Sequence, residues 1–163
     1  MAVISFAVVD DHPLFREGVI RSLSETGQFS TVASGSTCED AIRIAAEKRP
    51  DVLLLDLSMP GGGLNALRSI KSANPQQRVV VLTASETDRD VSDALGLGAD
   101  GYVLKGIGSR ALAEAVGLVA LGQKYVTPTL SAGLVTRLVQ ARQGEAMIGQ
   151  LSSRELEVLT LVA

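Results

Sequence analysis

The sequence has one cysteine, Cys38, and one histidine, His12, in 163 residues. A lone thiol closes no internal disulfide and has no second thiol nearby for a metal site, so Cys38 reads as a packing or surface residue. A lone histidine makes no cluster; His12 reads as a local structural residue, with a phosphorylated or metal-binding histidine as the sharper alternative. Long apolar runs are missing too. The longest are about six residues, against the roughly 20 that cross a bilayer, and the opening "MAVISFAVVDD" has neither a basic start nor a cleavage site. A cytoplasmic protein with no membrane partner is expected. Positive charge is not in excess: the net charge of -3 argues against a broad phosphate-binding surface, so nucleic-acid contact is local or absent. Internal repeats and low-complexity tracts are absent as well. What remains, 46% hydrophobic and 20% charged, is the composition of a chain that folds. Its length suits one domain with an appendage.

Short apolar runs alternate with helix-like segments of about 12 residues, the rhythm of a parallel α/β sheet. "VISFAVV" (3–9) leads to Asp10 and Asp11, and Pro13 sits where a helix starts without needing its N–H. Leu14, Gly18, Val19, Ser22 and Leu23 are the expected inward stripe of that helix. A strand near "STVASG" (30–35) precedes a helix over 37–48, stopped by Pro50. "DVLLLDL" (51–57) is apolar almost throughout and is expected at the middle of the sheet, covered on both faces. A helix over 64–73, the strand "RVVVLT" (78–83), a helix over 87–97, the strand "GYVLK" (101–105) and a helix over 109–121 follow, with Gly122 as the terminator. Five βα units are then complete.

The polar residues of this map collect at one edge. Asp10 and Asp11, Asp56, Thr83 and Lys105 each lie at the C-terminal end of a strand, and in an open parallel sheet those ends border the ligand crevice. Three carboxylates brought together repel one another unless a cation joins them. Oxygen ligands supplied by few protein groups suit Mg²⁺, with Mn²⁺ as the alternative. Lys105 adds a positive charge for an anion and Thr83 a hydroxyl. The set describes a site for a phosphoryl group beside Mg²⁺, in which metal and lysine neutralise charge during in-line transfer.

With these residues in place, the chain resembles a bacterial response-regulator receiver domain of the NarL/FixJ subfamily, whose members carry a LuxR-type helix-turn-helix. The resemblance covers residues 1–122 and rests on "VVDDHPLFREG", "DVLLLDLSMPG", "VVVLTAS" and "GADGYVLK", in that order. It implies a flavodoxin-like, doubly wound five-stranded sheet of order 2-1-3-4-5, with an added C-terminal helical segment. It further implies Asp56 as the phospho-accepting residue. Asp11 matches the direct Mg²⁺ ligand, Asp10 its neighbour acting through water, and the backbone carbonyl of Ser58 a third protein ligand beside Asp56. Thr83 matches the hydroxyl that turns to the phosphoryl group, Lys105 its ion-pair partner and Tyr102 the switch aromatic. The implied partner is a sensor histidine kinase, with a second copy of the chain as a further candidate. Two departures stand out: Lys105 is followed by Gly106 where many receivers have proline, and "MPGGGLNAL" is one residue shorter than the commoner pattern.

Each residue also has a plainer reading. Paired aspartates before a proline are often a helix cap; Thr83 alone is a strand-end hydroxyl, Lys105 a solvated lysine and Tyr102 a packing residue. Asp56 resists this, because an ionised carboxylate in an apolar strand needs a partner. Two other function classes compete. A metal-dependent phosphohydrolase with an Asp56 nucleophile would want a second aspartate two residues on as general acid, and Ser58 stands there. A flavin or nucleotide binder would want a glycine-rich loop after the first strand, where "DDHPLFREG" stands. The expectation is a phospho-accepting signalling module without substrate turnover.

Beyond Gly122, "VTPTLSAGLVTRLVQARQ" predicts an extra helix over 128–143 within a linker spanning 123–150, its last residues "GEAMIGQ" reading as flexible chain. "LSSRELEVLTLVA" (151–163) opens with a capping box, Ser152 and Glu155, and resembles the start of a LuxR-type DNA-binding domain. Such a domain needs about four helices, so the sequence reads as truncated within the first, with DNA reached only through the missing part. The stripe Leu151, Leu156, Leu159 and Val162 is expected to dock on the receiver or on a second copy, with disorder of 151–163 as the alternative.

Overall fold

The computed structural model describes residues 2–84 and 88–127. The expected helix over 128–143, the flexible chain and the stretch 151–163 therefore lie outside the described residues. Residues Met1–Tyr125 form one compact unit. The elements are β1 (Ile4–Val9), α1 (Pro13–Ser24), β2 (Phe29–Gly35), α2 (Cys38–Lys48), β3 (Val52–Asp56), α3 (Gly63–Ala73), β4 (Val79–Thr83), α4 (Asp88–Gly96), β5 (Gly101–Leu104), α5 (Ser109–Ala120) and β6 (Tyr125–Val126). The strands run in the order β2-β1-β3-β4-β5-β6, and the four pairings from β2 to β5 are parallel. Five strands in the order 2-1-3-4-5 are thus as expected. The short sixth strand is an addition: the Tyr125 N–H donates to the Asp100 carbonyl at the start of β5, and a two-residue strand leaves no periodicity to read.

Alternation along the strands sorts the core into two layers. Phe6, Val8, Val52, Leu54, Val80, Leu82 and Val103 pack with Val19 and Leu23 of α1 and Leu112, Val116 and Val119 of α5. The intervening residues Ala7, Val9, Leu53, Leu55, Val79 and Val81 are equally inaccessible, which is why β3 and β4 read as unbroken apolar runs.

One expectation about α1 fails. Leu14 is 86% exposed and Gly18 is exposed, whereas Phe15, Val19, Ile20 and Leu23 pack inward. The helix is rotated by about one residue from the expected stripe. The Phe15 ring, the larger apolar group, lies under Lys105 Nζ at 4.8 Å from the ring centroid, a contact between residues ninety positions apart that no local pattern contains. Elsewhere the helix ends follow local signals. Thr37 and Asp40 cap α2 reciprocally, and Gly122 follows the last turn of α5 with a left-handed φ of 93°.

Candidate phosphoryl and metal site

Register brings the polar residues to one edge. Val9 pairs with Leu55, Asp56 with Leu82, and Thr83 with Leu104, so Asp10, Asp56, Thr83 and Lys105 sit at or just past adjacent strand ends. The Lys105 N–H also donates to the Thr83 carbonyl at 2.8 Å, fastening the β5 exit to β4. Asp10 and Asp56 are inaccessible to solvent. Lys105 Nζ lies 2.8 Å from Asp10 Oδ2 and 3.4 Å from Asp56 Oδ1. Donor atoms of Asp10, Asp11, His12 and Asp56 all fall within 4.8 Å of one another, a grouping that could hold a metal ion.

The charges do not balance. Burial pushes the Asp56 carboxyl above its ordinary range and the charge of Asp10 adds to this; the Ser58 N–H and Lys105 oppose it. Ser58 contributes its N–H at 3.3 Å and its hydroxyl at 3.4 Å, both to Asp56 Oδ1. Asp56 Oδ2 is buried and accepts no hydrogen bond among the described residues. An orphaned carboxylate oxygen in such a place costs about 1–3 kcal/mol, more when charged, and a cation or a transferred group would relieve it. Carboxylate oxygens from few residues fit Mg²⁺, which retains several waters and accepts one or two carboxylates.

The residue at the cap of α1 is His12, without a side-chain capping bond, so the aspartate pair is not there to cap that helix. Asp10 Oδ1 instead accepts the His12 N–H at 2.8 Å and lies 3.0 Å from the His12 ring. Thr83 is buried beside Tyr102. Tyr102 is fully enclosed, and burial pushes its hydroxyl up to about 12 against a hydrogen bond with Thr83, the charge of Asp90 adding to the rise. Two neighbours escape a sequence reading: Phe15 under Lys105, and Arg16, whose Nη1 donates to the Asp10 carbonyl at 2.7 Å and holds the β1 exit in place. Both stand in "PLFREG", but only the folded register shows what they touch.

Among the described residues no peptide bond is cis, Lys105–Gly106 included. Gly63 in the shortened glycine segment has a steric reason. A Cβ on Gly63 would stand 2.3 Å from the Asp56 carbonyl oxygen and 2.4 Å from Leu57 Cα, so the start of α3 packs directly on the backbone carrying Asp56. Helix α3 begins at Gly63, one residue ahead of expectation.

A family profile described as the response regulator receiver domain matches residues 6–117. The chain belongs to that family. This receiver is 35% identical over 162 residues to the response regulator GacA of Pseudomonas aeruginosa, covering 99% of this chain and 76% of that protein. It is also 35% identical over 158 residues to the nitrate/nitrite response regulator protein NarL of Escherichia coli, covering 96% and 73% of the two chains. Among solved structures, the signal receiver domain of the putative response regulator NarL from Mycobacterium tuberculosis superposes with a TM-score of 0.73 at 35% identity, covering 76% of this chain and 100% of that one. A LuxR-family two-component response regulator from Aurantimonas gives a TM-score of 0.81 at 28% identity, over 85% and 99% of the two chains. The receiver is therefore of the NarL/LuxR type, a signalling domain of two-component transcription regulators. No helix among its described residues is long and apolar enough to cross a membrane.

Proposed function

We propose that this receiver acts in the cytoplasm, where Asp56 accepts a phosphoryl group from a sensor histidine kinase, with a divalent cation held by Asp10, Asp11, Asp56 and the Ser58 carbonyl. The observation that carries this is Asp56 Oδ2, buried and without a hydrogen-bond partner among the described residues, beside two further aspartates and Lys105. A carboxylate oxygen of Asp56 attacks the phosphorus of a phosphohistidine. The P–O bond forms as the P–N bond breaks, and the imidazole nitrogen leaves with the electron pair and takes up a proton. Mg²⁺, when bound, supplies neutralisation of the charge spread over the equatorial oxygens. Lys105 moves its ion pairing from the carboxylates to the phosphoryl oxygens, and Thr83 donates its hydroxyl to the same group. That hydroxyl leaves Tyr102, so the β4 and β5 ends carry the change of state to a DNA-binding output or a second receiver.

Substrate turnover is not part of this role, since the position two residues after Asp56 holds Ser58 rather than a carboxylic acid able to protonate a leaving group. The test is incubation with Mg²⁺ and acetyl phosphate. A hydroxylamine-labile phosphoprotein approaching one phosphoryl group per chain is the expected product. Rapid, sustained phosphate release with no accumulated phosphoprotein would favour a phosphohydrolase instead.

A further inference from the structure

His12 does nothing in the scheme above, yet its ring is pressed into the acidic cluster. Nδ1 lies 3.0 Å from Asp10 Oδ1, 3.1 Å from Asp11 Oδ1 and 3.3 Å from Lys105 Nζ. These neighbours make contradictory demands on one ring nitrogen. Carboxylate oxygens call for an N–H, whereas an ammonium group, which only donates, calls for a lone pair. Neither tautomer serves all three contacts. A cation among the carboxylates resolves the contacts with Asp10 and Asp11, because the lone pairs of Nδ1 and of the carboxylate oxygens can then be directed at it, while Lys105 keeps its pairing with Asp10 Oδ2 and Asp56 Oδ1. Asp56, whose Oδ2 is buried and accepts no hydrogen bond among the described residues, belongs to the same group of residues and is independent of the histidine.

The backbone holds the imidazole in place. His12 is extended, with φ −98° and ψ 101°, its N–H is bonded to Asp10 Oδ1, and Pro13 fixes the next residue at the helix start. The ring is 62% exposed, packed against no core, and makes no capping bond to α1. Among the described residues, what the ring touches is the acidic cluster and Lys105.

We propose that His12 Nδ1 is a nitrogen ligand of the divalent cation at this site, which shifts its preference from Mg²⁺ toward metals that favour imidazole, such as Co²⁺ and Ni²⁺. The inference rests on the metal site proposed above. Carboxylates and water suit Mg²⁺, while an imidazole donor adds affinity along the series from Mn²⁺ to Co²⁺ and beyond. Asp10 and Asp11 supply the oxygen donors common to all of these ions, and His12 supplies the discrimination.

His12 is the chain's one histidine, so on tag-free protein an imidazole nitrogen signal has a single source. Pulsed electron paramagnetic resonance of the Mn²⁺-loaded full chain is expected to show ¹⁴N coupling, absent in His12→Gln. Calorimetric titration with Co²⁺ and with Mg²⁺ is expected to give an affinity ratio that falls by about tenfold in that variant, the size of effect seen when a metal site loses ligand support. Mn²⁺ bound and displaced by Mg²⁺, but with no ¹⁴N coupling and the same ratio in both proteins, would overturn the role of His12 and leave the metal site standing. Absence of any divalent-cation binding to the wild type would overturn both. The wild-type spectrum needs no variant, so the outcome does not hang on the folding of His12→Gln.

Discussion

Asp56 and Asp100 flank the same sheet, and their surroundings drive their carboxyls in opposite directions. For Asp56, burial and the charge of Asp10 outweigh the Ser58 N–H and Lys105, and the carboxyl is raised. The folded protein then holds this proton more tightly than the unfolded chain does. Stability contributed by the group is present below the unfolded value of about 4 and falls as pH rises toward the folded one. Once ionised, without metal, Asp56 is a cost. Asp56→Asn removes the charge and keeps the shape, while Asp10 still pairs with Lys105 at 2.8 Å. The variant is expected to melt higher in chelator-treated buffer by roughly 2–4 °C, about 1 kcal/mol for a domain of this size. Saturating Mg²⁺ should then stabilise the wild type more, since a ligand at 100 times its Kd adds about 2.7 kcal/mol. Thermal melts with and without Mg²⁺ check both; a lower melting temperature for the metal-free variant would contradict this reading of Asp56.

At the scale of elements, Asp100 fastens the opposite edge of the sheet. Its Oδ2 accepts from Lys71 Nζ of α3 at 2.8 Å and from the Val79 N–H of β4 at 2.9 Å, and its Oδ1 accepts from Lys124, just before β6, at 3.0 Å. Burial would raise this carboxyl, but the bonds from Lys71, Val79 and Lys124 together hold it below the usual carboxylate range. Its contribution is present above about pH 4 and is lost as pH falls through the lowered folded value. Removing the charge strands Lys71, which is only 13% exposed. Asp100→Asn is therefore expected to cost about 3 kcal/mol at pH 7, and the gap to wild type should close as pH drops below about 4. Denaturant titrations across that range would show it; a gap independent of pH would mean that the charge is not what holds these elements. Lys124, 66% exposed, adds little of this. The same edge explains Gly101, where a Cβ would stand 3.3 Å from the Tyr125 carbonyl oxygen and 3.1 Å from a Val80 methyl. A side chain there would press against the outgoing strand and Val80.

Across the whole molecule, the parallel sheet was legible because β3 and β4 are buried on both faces and so carry continuous apolar sequence, interrupted only where Asp56 and Thr83 end them. The convergence of Asp10, Asp11, Asp56, Thr83 and Lys105 was legible too, since topology alone brings parallel strand ends to one edge. What the sequence withheld depends on contacts between distant residues. The rotation of α1 follows from Phe15 meeting Lys105, the sixth strand from Tyr125 meeting Asp100, and the position of His12 from three neighbours on two loops. None of these leaves a period or a spacing in the chain. The proposed site and switch rest on one claim, that Asp56 is the phosphoryl-accepting residue of this receiver. Intact-mass spectrometry after incubation with acetyl phosphate and Mg²⁺ tests it most directly. Wild type should gain the mass of one phosphoryl group and Asp56→Asn should gain none. Equal gain in both proteins would contradict the account.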